Sequence, residues 1–245
     1  MTDLTDSSNS TSAYSTLVFD NAFSMLPEAF FTKIAPTPVN NPSLIKVNTK
    51  LATALGFDEK YLNTTETLAF FAGNVVPKNS NPLAMVYAGH QFGQFVDNLG
   101  DGRANLLGDI LCPKSERWDL HLKGSGPTPY SRKGDGRAPL GSVIREYVLS
   151  EAMHALGIST TRSLAIISTG ENVERESFLP GGILTRVAKS HIRVGTFEYF
   201  KCRDDFASVK ILANHVITHY YPMLKNTTDP YTQLLKAVID KQAKL

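Results

Sequence analysis

The segment WDLHLKG, residues 118–124, sets Trp118, Leu120 and Leu122 against Asp119, His121 and Lys123. That period of two specifies a β-strand with Lys123 near its end. A glycine-rich, proline-broken loop follows, GSGPTPYSRKGDGRAPLG, and then SVIREYVLSEAMHALG. In this last stretch Val143, Ile144, Tyr147, Val148, Ala152, Ala155 and Leu156 recur at helical spacing, and Gly157 supplies the stop. A strand lysine, a glycine loop and a helix bearing Glu146 and Glu151 commit the chain to an α+β fold. Both glutamates flank the apolar helix face, and periodicity does not choose between them as partner of Lys123.

The pentapeptide GDGRA occurs twice, at Gly100–Ala104 and Gly134–Ala138. The flanking sequences share nothing else, so an internal repeat is excluded. The first copy leads into a β-leaning segment, NLLGDILC, and the second into the helix. Two glycines and an arginine suit a turn whose exposed N–H groups cradle an anion beside a guanidinium. Two Asx-type turns carrying surface arginines are the alternative.

Around this centre, residues 1–15 are rich in Ser, Thr, Asp and Asn and read as a disordered tail. Residues 16–82 read as a helical and irregular extension, with helices over NPSLIKVNTKLATALGF and TETLAFFAGNVV. Residues 83–170 form the unit with the glycine loop, strand lysine and helix glutamate. Residues 171–245 carry a basic segment and the beginning of a helical region. PYTQLLKAVIDKQAKL keeps helical register up to Leu245 without a terminator, which reads as a chain cut within a helix.

Composition narrows the function classes. The net charge of +2 gives no whole-protein field for coating nucleic acid or an anionic membrane. No apolar run reaches membrane-spanning length, and the N-terminus has no signal pattern. Two cysteines, Cys112 and Cys202, exclude a disulfide framework and a zinc spacing, so a reducing cytoplasmic setting is expected.

The order of strand, glycine loop, strand, strand lysine and helix glutamate is that of a protein-kinase N-lobe, where lysine neutralises phosphate charge and glutamate holds the lysine. The G-x-G-x-x-G spacing, an H-R-D loop and D-F-G are all missing from this sequence. Instead LTRVAKSHIRVGTF sets Arg186, Lys189, His191 and Arg193 among apolar neighbours, and buried arginines need anionic partners.

YAGHQFGQF, LGDGRANLLGD, DLHLKGSGPTPYSRKGDGRA, REYVLSEAMHALGISTTRSLA and ILTRVAKSHIRVGTFEYF closely resemble the selenoprotein O (YdiU) family across nearly the whole chain. The resemblance implies a kinase-like (pseudokinase) N-lobe with the start of a helical C-lobe, truncated. It also implies protein adenylyltransferase activity: AMP passes from ATP, bound in a flipped pose with a divalent metal (Mg²⁺ or Mn²⁺), to Ser, Thr or Tyr hydroxyls of proteins. Matched to the family motifs, Gly100, Gly102, Arg103, Lys123, Asp135, Gly136, Arg186 and Arg193 are the ATP contacts, and Glu146 is the helix partner of Lys123. Asp97-Asn98 stands where the family usually has Pro-Gln. The HGVMNTDN-like run that supplies the catalytic Asp and the metal ligands is expected beyond Leu245. No catalytic base and no metal ligand is therefore expected in this chain, and on its own it is expected to be inactive. A non-catalytic nucleotide- or polyphosphate-binding module, or a decayed gene product, is the alternative. Nucleic acid and membrane are not expected partners.

Overall fold

The computed structural model describes residues 12–245. In chain order it contains β1 (Val18–Phe19), β2 (Phe31–Lys33), β3 (Ser43–Val47), α1 (Thr49–Leu55), α2 (Thr65–Phe71), β4 (Leu83–Met85), β5 (Gly89–Gln91) and β6 (Gln94–Val96). Then come β7 (Ala104–Leu111), β8 (Arg117–Lys123), β9 (Ala138–Pro139), α3 (Leu140–Ala155), β10 (Arg162–Glu174), β11 (Phe178–Ala188), α4 (Val194–Lys201), α5 (Phe206–Tyr220) and α6 (Pro230–Gln242). The protein is α+β. Its main sheet is antiparallel, in the order β2-β4-β7-β8-β11-β10-β3, with β1 added on β7 and β9 on β11.

β8 sits in the middle of this sheet, paired along one edge with β7 and along the other with β11. Leu120 and Leu122 pack with Leu107, Ile183 and Val187 under the aromatic and aliphatic side chains of α1 and α2, including Leu51, Leu55, Phe70 and Phe71. On the opposite face a second core joins Phe30, Met85 and Leu106 to Phe200 of α4 and Leu212 of α5. Leu106 and Leu107 of β7 thus serve different cores, as strand alternation requires. The polar residues of β8 do not face solvent: Asp119 and His121 are buried beneath the second layer. A period of two identified the strand but not the surroundings of its polar face.

Three further expectations differ from the structure. The stretch read as one helix from Asn41 to Phe57 is divided. Ser43–Val47 pairs with β10 through Val47 opposite Ala165, and the helix begins only after Asn48, whose side chain accepts from Leu51 N at 3.2 Å. Strand pairing and a cap outweigh a helical pattern here. Residues 12–15, assigned by composition to the tail, form turns in which Ala13 is buried and Tyr14 stacks on Phe70 at 4.5 Å; the rest of that tail, 1–11, lies outside the described residues. Only Val143 and Tyr147 of the supposed apolar face of α3 pack inward, against Ala138, Ile166 and Leu184, whereas Val148 is 56% and Leu156 75% exposed.

The main sheet also runs across the expected boundaries at 82 and 170, since β2 and β3 belong to it and β10 passes through residue 170. α6 closes at Gln242, with Ala243 as its cap. No helix among the described residues is long and apolar enough to cross a membrane.

Candidate functional site

β7 and β8, the loops that precede and follow them, and the β10–β11 hairpin enclose a cleft of about 470 Å³. Gly100, Gly102, Arg103, Lys123, Asp135, Gly136, Arg186 and Arg193 all line it. The two GDGRA segments meet there because the second loop closes over the first. Ser131 Oγ donates to Gly102 O at 2.5 Å and Thr128 Oγ1 to Asp101 O at 2.7 Å. Gly100 has φ +55°, and a Cβ there would lie 2.3 Å from the Tyr130 ring. Close packing of loop on loop therefore demands that glycine before any ligand is considered.

Lys123, the last residue of β8, forms an ion pair with Glu146 of α3. The second oxygen of Glu146 accepts from Arg186 Nη1 at 2.8 Å. Glu151, one turn further on, turns away from the cleft and is saturated by Arg162, Asn48 and the N–H of Ser163. The structure thus selects Glu146. Burial raises the cost of charge on Glu146, but Arg186 and Lys123 outweigh it and hold the carboxyl below its usual range. Lys123 is drawn down by burial, against the opposing pull of Glu146.

Beneath this pair lies a buried polar layer. Asp101, with a side chain only 1% exposed, accepts from Met85 N at 3.1 Å and makes a 3.2 Å hydrogen bond with His121 Nε2. Arg186 Nε donates to the other imidazole nitrogen, Nδ1, at 3.3 Å. Because an arginine only donates, Nδ1 must accept and the proton sits on Nε2, so the pair is a carboxylate and a neutral imidazole. Burial depresses His121 to about 3, in keeping with that state. Burial alone would raise Asp101, yet His121 beside it, by electrostatics and then by its hydrogen bond, with the charges of Arg193 and Arg186, holds it well below the usual carboxylate range.

Arg193 lies 3.8 Å from Asp101 Oδ1 and stacks over the Tyr87 ring at 4.1 Å. Burial and the neighbouring Asp101 push the Tyr87 hydroxyl up to about 12. On the far side of His121, His191 stacks at 4.5 Å and its backbone N–H donates to Asp119 at 2.5 Å. Burial raises Asp119 to about 7. Of the four basic residues in 186–193, only Arg186 and Arg193 reach the cleft. Lys189 turns outward to Glu116 at 2.6 Å and the Trp118 ring.

In the second GDGRA, Asp135 receives two hydrogen bonds from Arg175, at 2.9 and 3.1 Å, and one from Arg137 N at 2.9 Å. Arg137 donates to the carbonyls of Thr37 and Pro38, both at 3.0 Å, and so ties the loop to the chain before β3. The Arg103 guanidinium of the first copy has no hydrogen-bond or ion-pair partner among the described residues, while its backbone carbonyl accepts from Gly124 N at 2.7 Å.

Sequence reasoning missed Asp101, His121, Tyr87 and Arg175. Asp101 stood in the motif itself and His121 on the strand already identified, whereas Arg175 reaches Asp135 only through the tertiary fold. Among the described residues no group of three or more His, Cys, Asp or Glu side chains is placed to hold a metal ion.

Residues 13–245 match the family described as protein adenylyltransferase SelO. The chain is 57% identical over 227 residues to the protein nucleotidyltransferase YdiU of Bradyrhizobium diazoefficiens, covering 93% of this chain and 46% of that protein. The YdiU protein of Alkalilimnicola ehrlichii is also 57% identical over 227 residues, again 93% of this chain and 46% of the relative. That of Bacillus mycoides is 55% identical over 226 residues, 92% of this chain and 46% of its own. The chain thus spans about half the length of the curated relatives it matches. A match of this extent, on a cleft assembled from the same motifs, places the chain in the selenoprotein O (YdiU) family of protein nucleotidyltransferases.

Proposed function

We propose that the cleft binds ATP and that this chain is the nucleotide-holding part of a protein adenylyltransferase with a kinase-like N-lobe. The observation that carries this reading is the convergence of Arg103, Lys123, Arg186 and Arg193 with Gly100, Gly102, Asp135 and Gly136 on one cleft. Four cations lining one cleft, with the lysine and one arginine oriented by a shared glutamate, suit a polyphosphate better than a neutral ligand. With the terminal phosphates among these cations, the α-phosphorus faces outward toward a protein Ser, Thr or Tyr hydroxyl. The hydroxyl oxygen bonds to the α-phosphorus, the bond to the β-phosphate bridging oxygen breaks, and pyrophosphate leaves with its charge spread over the arginines and Lys123.

The proton of the attacking hydroxyl must pass to a base, and the two carboxylates that line the cleft already face cations. Asp101 accepts from His121 and Met85 N at Oδ2 while its Oδ1, without a hydrogen-bond partner among the described residues, lies 3.8 Å from Arg193, and Asp135 is held by Arg175. The same carboxylates do not compose a divalent-metal site, so Mg²⁺ or Mn²⁺ does not fit the residues present and no step is assigned to it. We therefore infer that residues 1–245 alone bind ATP, in a reducing cytoplasmic setting, without transferring AMP.

Calorimetry with ATP tests the reading. Micromolar-to-millimolar binding is expected, weakened about ten- to hundredfold by Lys123→Ala or Arg186→Ala; undetectable binding to the folded chain would sink it. A non-catalytic polyphosphate-binding module is favoured instead by the committed carboxylates. The two readings part on labelled ATP, when the chain is supplied in trans with the remaining half of a relative: AMP transfer supports the enzyme reading, and binding without transfer supports the module.

A further inference from the structure

We propose that His121 is the positioning residue for the arginine of the cleft: its Nε2–H holds the Asp101 carboxylate while its Nδ1 holds Arg186 by Nε. The proposal rests on the reading of the cleft as an ATP site, and it concerns a residue that touches no ligand.

His121 is fully buried in the middle of β8, two residues before Lys123. The buried His191 and His215 each leave Nε2 without a hydrogen-bond partner among the described residues. His121 spends both nitrogens on charged side chains lining the cleft, Asp101 Oδ2 at 3.2 Å and Arg186 Nε at 3.3 Å. The guanidinium is thereby gripped at two edges, Nε by the imidazole and Nη1 by Glu146 at 2.8 Å. With both edges engaged, the guanidinium plane is fixed before a ligand arrives, so less rotational freedom is lost on binding. Glu146 alone would leave Arg186 free to pivot about a single contact, and the same glutamate also holds Lys123.

The charge pattern requires the imidazole to be neutral. Protonation at Nδ1 would turn a donor toward a donor and drive Arg186 away. The groups facing the ring are Asp101 before β7, Arg186 of β11 and the stacked His191 before α4, with Asp119 of β8 behind His191. One carboxylate and one guanidinium bracket the ring, which leaves Nε2–H the only tautomer that satisfies both.

The two nitrogens can be separated by substitution. Asn sets its amide oxygen near the place of Nδ1 and keeps an acceptor for Arg186. Gln sets its amide nitrogen near the place of Nε2 and keeps only the donor to Asp101. His121→Asn should therefore bind ATP within about threefold of the wild type, and His121→Gln about tenfold more weakly. The decisive measurement is the double-mutant cycle with Arg186→Ala. If His121 acts through Arg186, His121→Gln adds no further loss in the Arg186→Ala background; multiplied losses, or Asn and Gln variants of equal affinity, overturn the proposal.

Nitrogen-15 NMR of the same proteins reads the geometry without ATP. The wild-type imidazole should be protonated on Nε2, and the Arg186 Nε–H resonance should be slow to exchange in wild type and His121→Asn but not in His121→Gln. An imidazole protonated on Nδ1, or an Arg186 resonance indifferent to these substitutions, overturns the proposal even where the variants fold poorly. If the wild type fails to bind ATP while the NMR pattern holds, the ATP reading falls and the positioning of Arg186 by His121 stands.

Discussion

The two GDGRA segments are identical in sequence and line the same cleft, yet almost nothing else about them is shared. Asp101 lies buried under the cleft floor, holding Met85 N and His121. Asp135 is 41% exposed at its side chain and is clasped by Arg175 at the rim. The Arg103 guanidinium has no hydrogen-bond or ion-pair partner among the described residues, whereas that of Arg137 is spent on two backbone carbonyls. The first copy has a structural acid and a spare base; the second has a rim acid and a structural base. Five letters fix a turn, and the layer into which the turn is pressed decides which side chain is left for chemistry.

The sharpest way to break this comparison is to substitute the glycines. Gly136 has φ +65°, and a Cβ there would lie 2.0 Å from the backbone carbon of Gly126. At Gly100 the obstacle is the Tyr130 side chain, which is held by a 3.0 Å hydrogen bond to Thr32 but is not backbone. Gly136→Ala should cost about 2–5 kcal/mol by thermal denaturation, the sum of a left-handed alanine and overpacking against rigid backbone. Gly100→Ala should cost less, and equal losses would mean the two turns are held alike.

Next in size are the aspartates. Asp101→Asn leaves Arg186 and Arg193 facing a neutral group in a buried layer and should lose about 3 kcal/mol at pH 7. Asp135→Asn, at an exposed pair, should lose no more than about 1 kcal/mol. Both carboxyls titrate below their usual value in the folded protein, Asp101 against the cost of burial and Asp135 chiefly through its bonds from Arg175. Each stabilisation is therefore fully present above the unfolded carboxylate value of about 3.9 and is lost as pH falls through the lower folded value. The gap between wild type and Asp101→Asn should close only in that acidic window; denaturant midpoints across pH 2–7 measure it, and a gap unchanged at pH 2 would contradict the assignment.

The parts of this site that were legible in the sequence are those carried by chain order. Lys123 at a strand end and Glu146 a helix later were readable because a loop of limited length had to bring them together. Periodicity did not choose Glu146 over Glu151, since both flank the same face of α3; the family motifs pointed to Glu146, and in the fold Arg162, Asn48 and Ser163 N draw Glu151 away. The burial of Asp119 and His121 was not legible for a related reason: alternation reports two faces of a strand but not what covers the polar one. The strand Ser43–Val47 was hidden within a helical pattern because its pairing with β10 lies far along the chain. Partners separated by a tertiary fold leave no local period to read.

The arginines give the cleanest separation of roles. Arg137→Ala removes two hydrogen bonds from a charged donor to Thr37 and Pro38 and should cost about 2 kcal/mol of stability. Its effect on ATP affinity should stay within about twofold, because its guanidinium is already committed away from the ligand. Arg103→Ala should do the reverse, leaving the denaturation midpoint within about 0.5 kcal/mol and weakening ATP about tenfold. Arg103 also pushes the Lys123 ammonium toward its neutral form, so its removal relieves a like-charge contact and offsets any small loss of packing. Paired calorimetry and denaturation on the two variants decide the matter: if Arg137→Ala weakens ATP as much as Arg103→Ala does, both copies meet the ligand through their arginines, and the division of labour between the two turns is wrong.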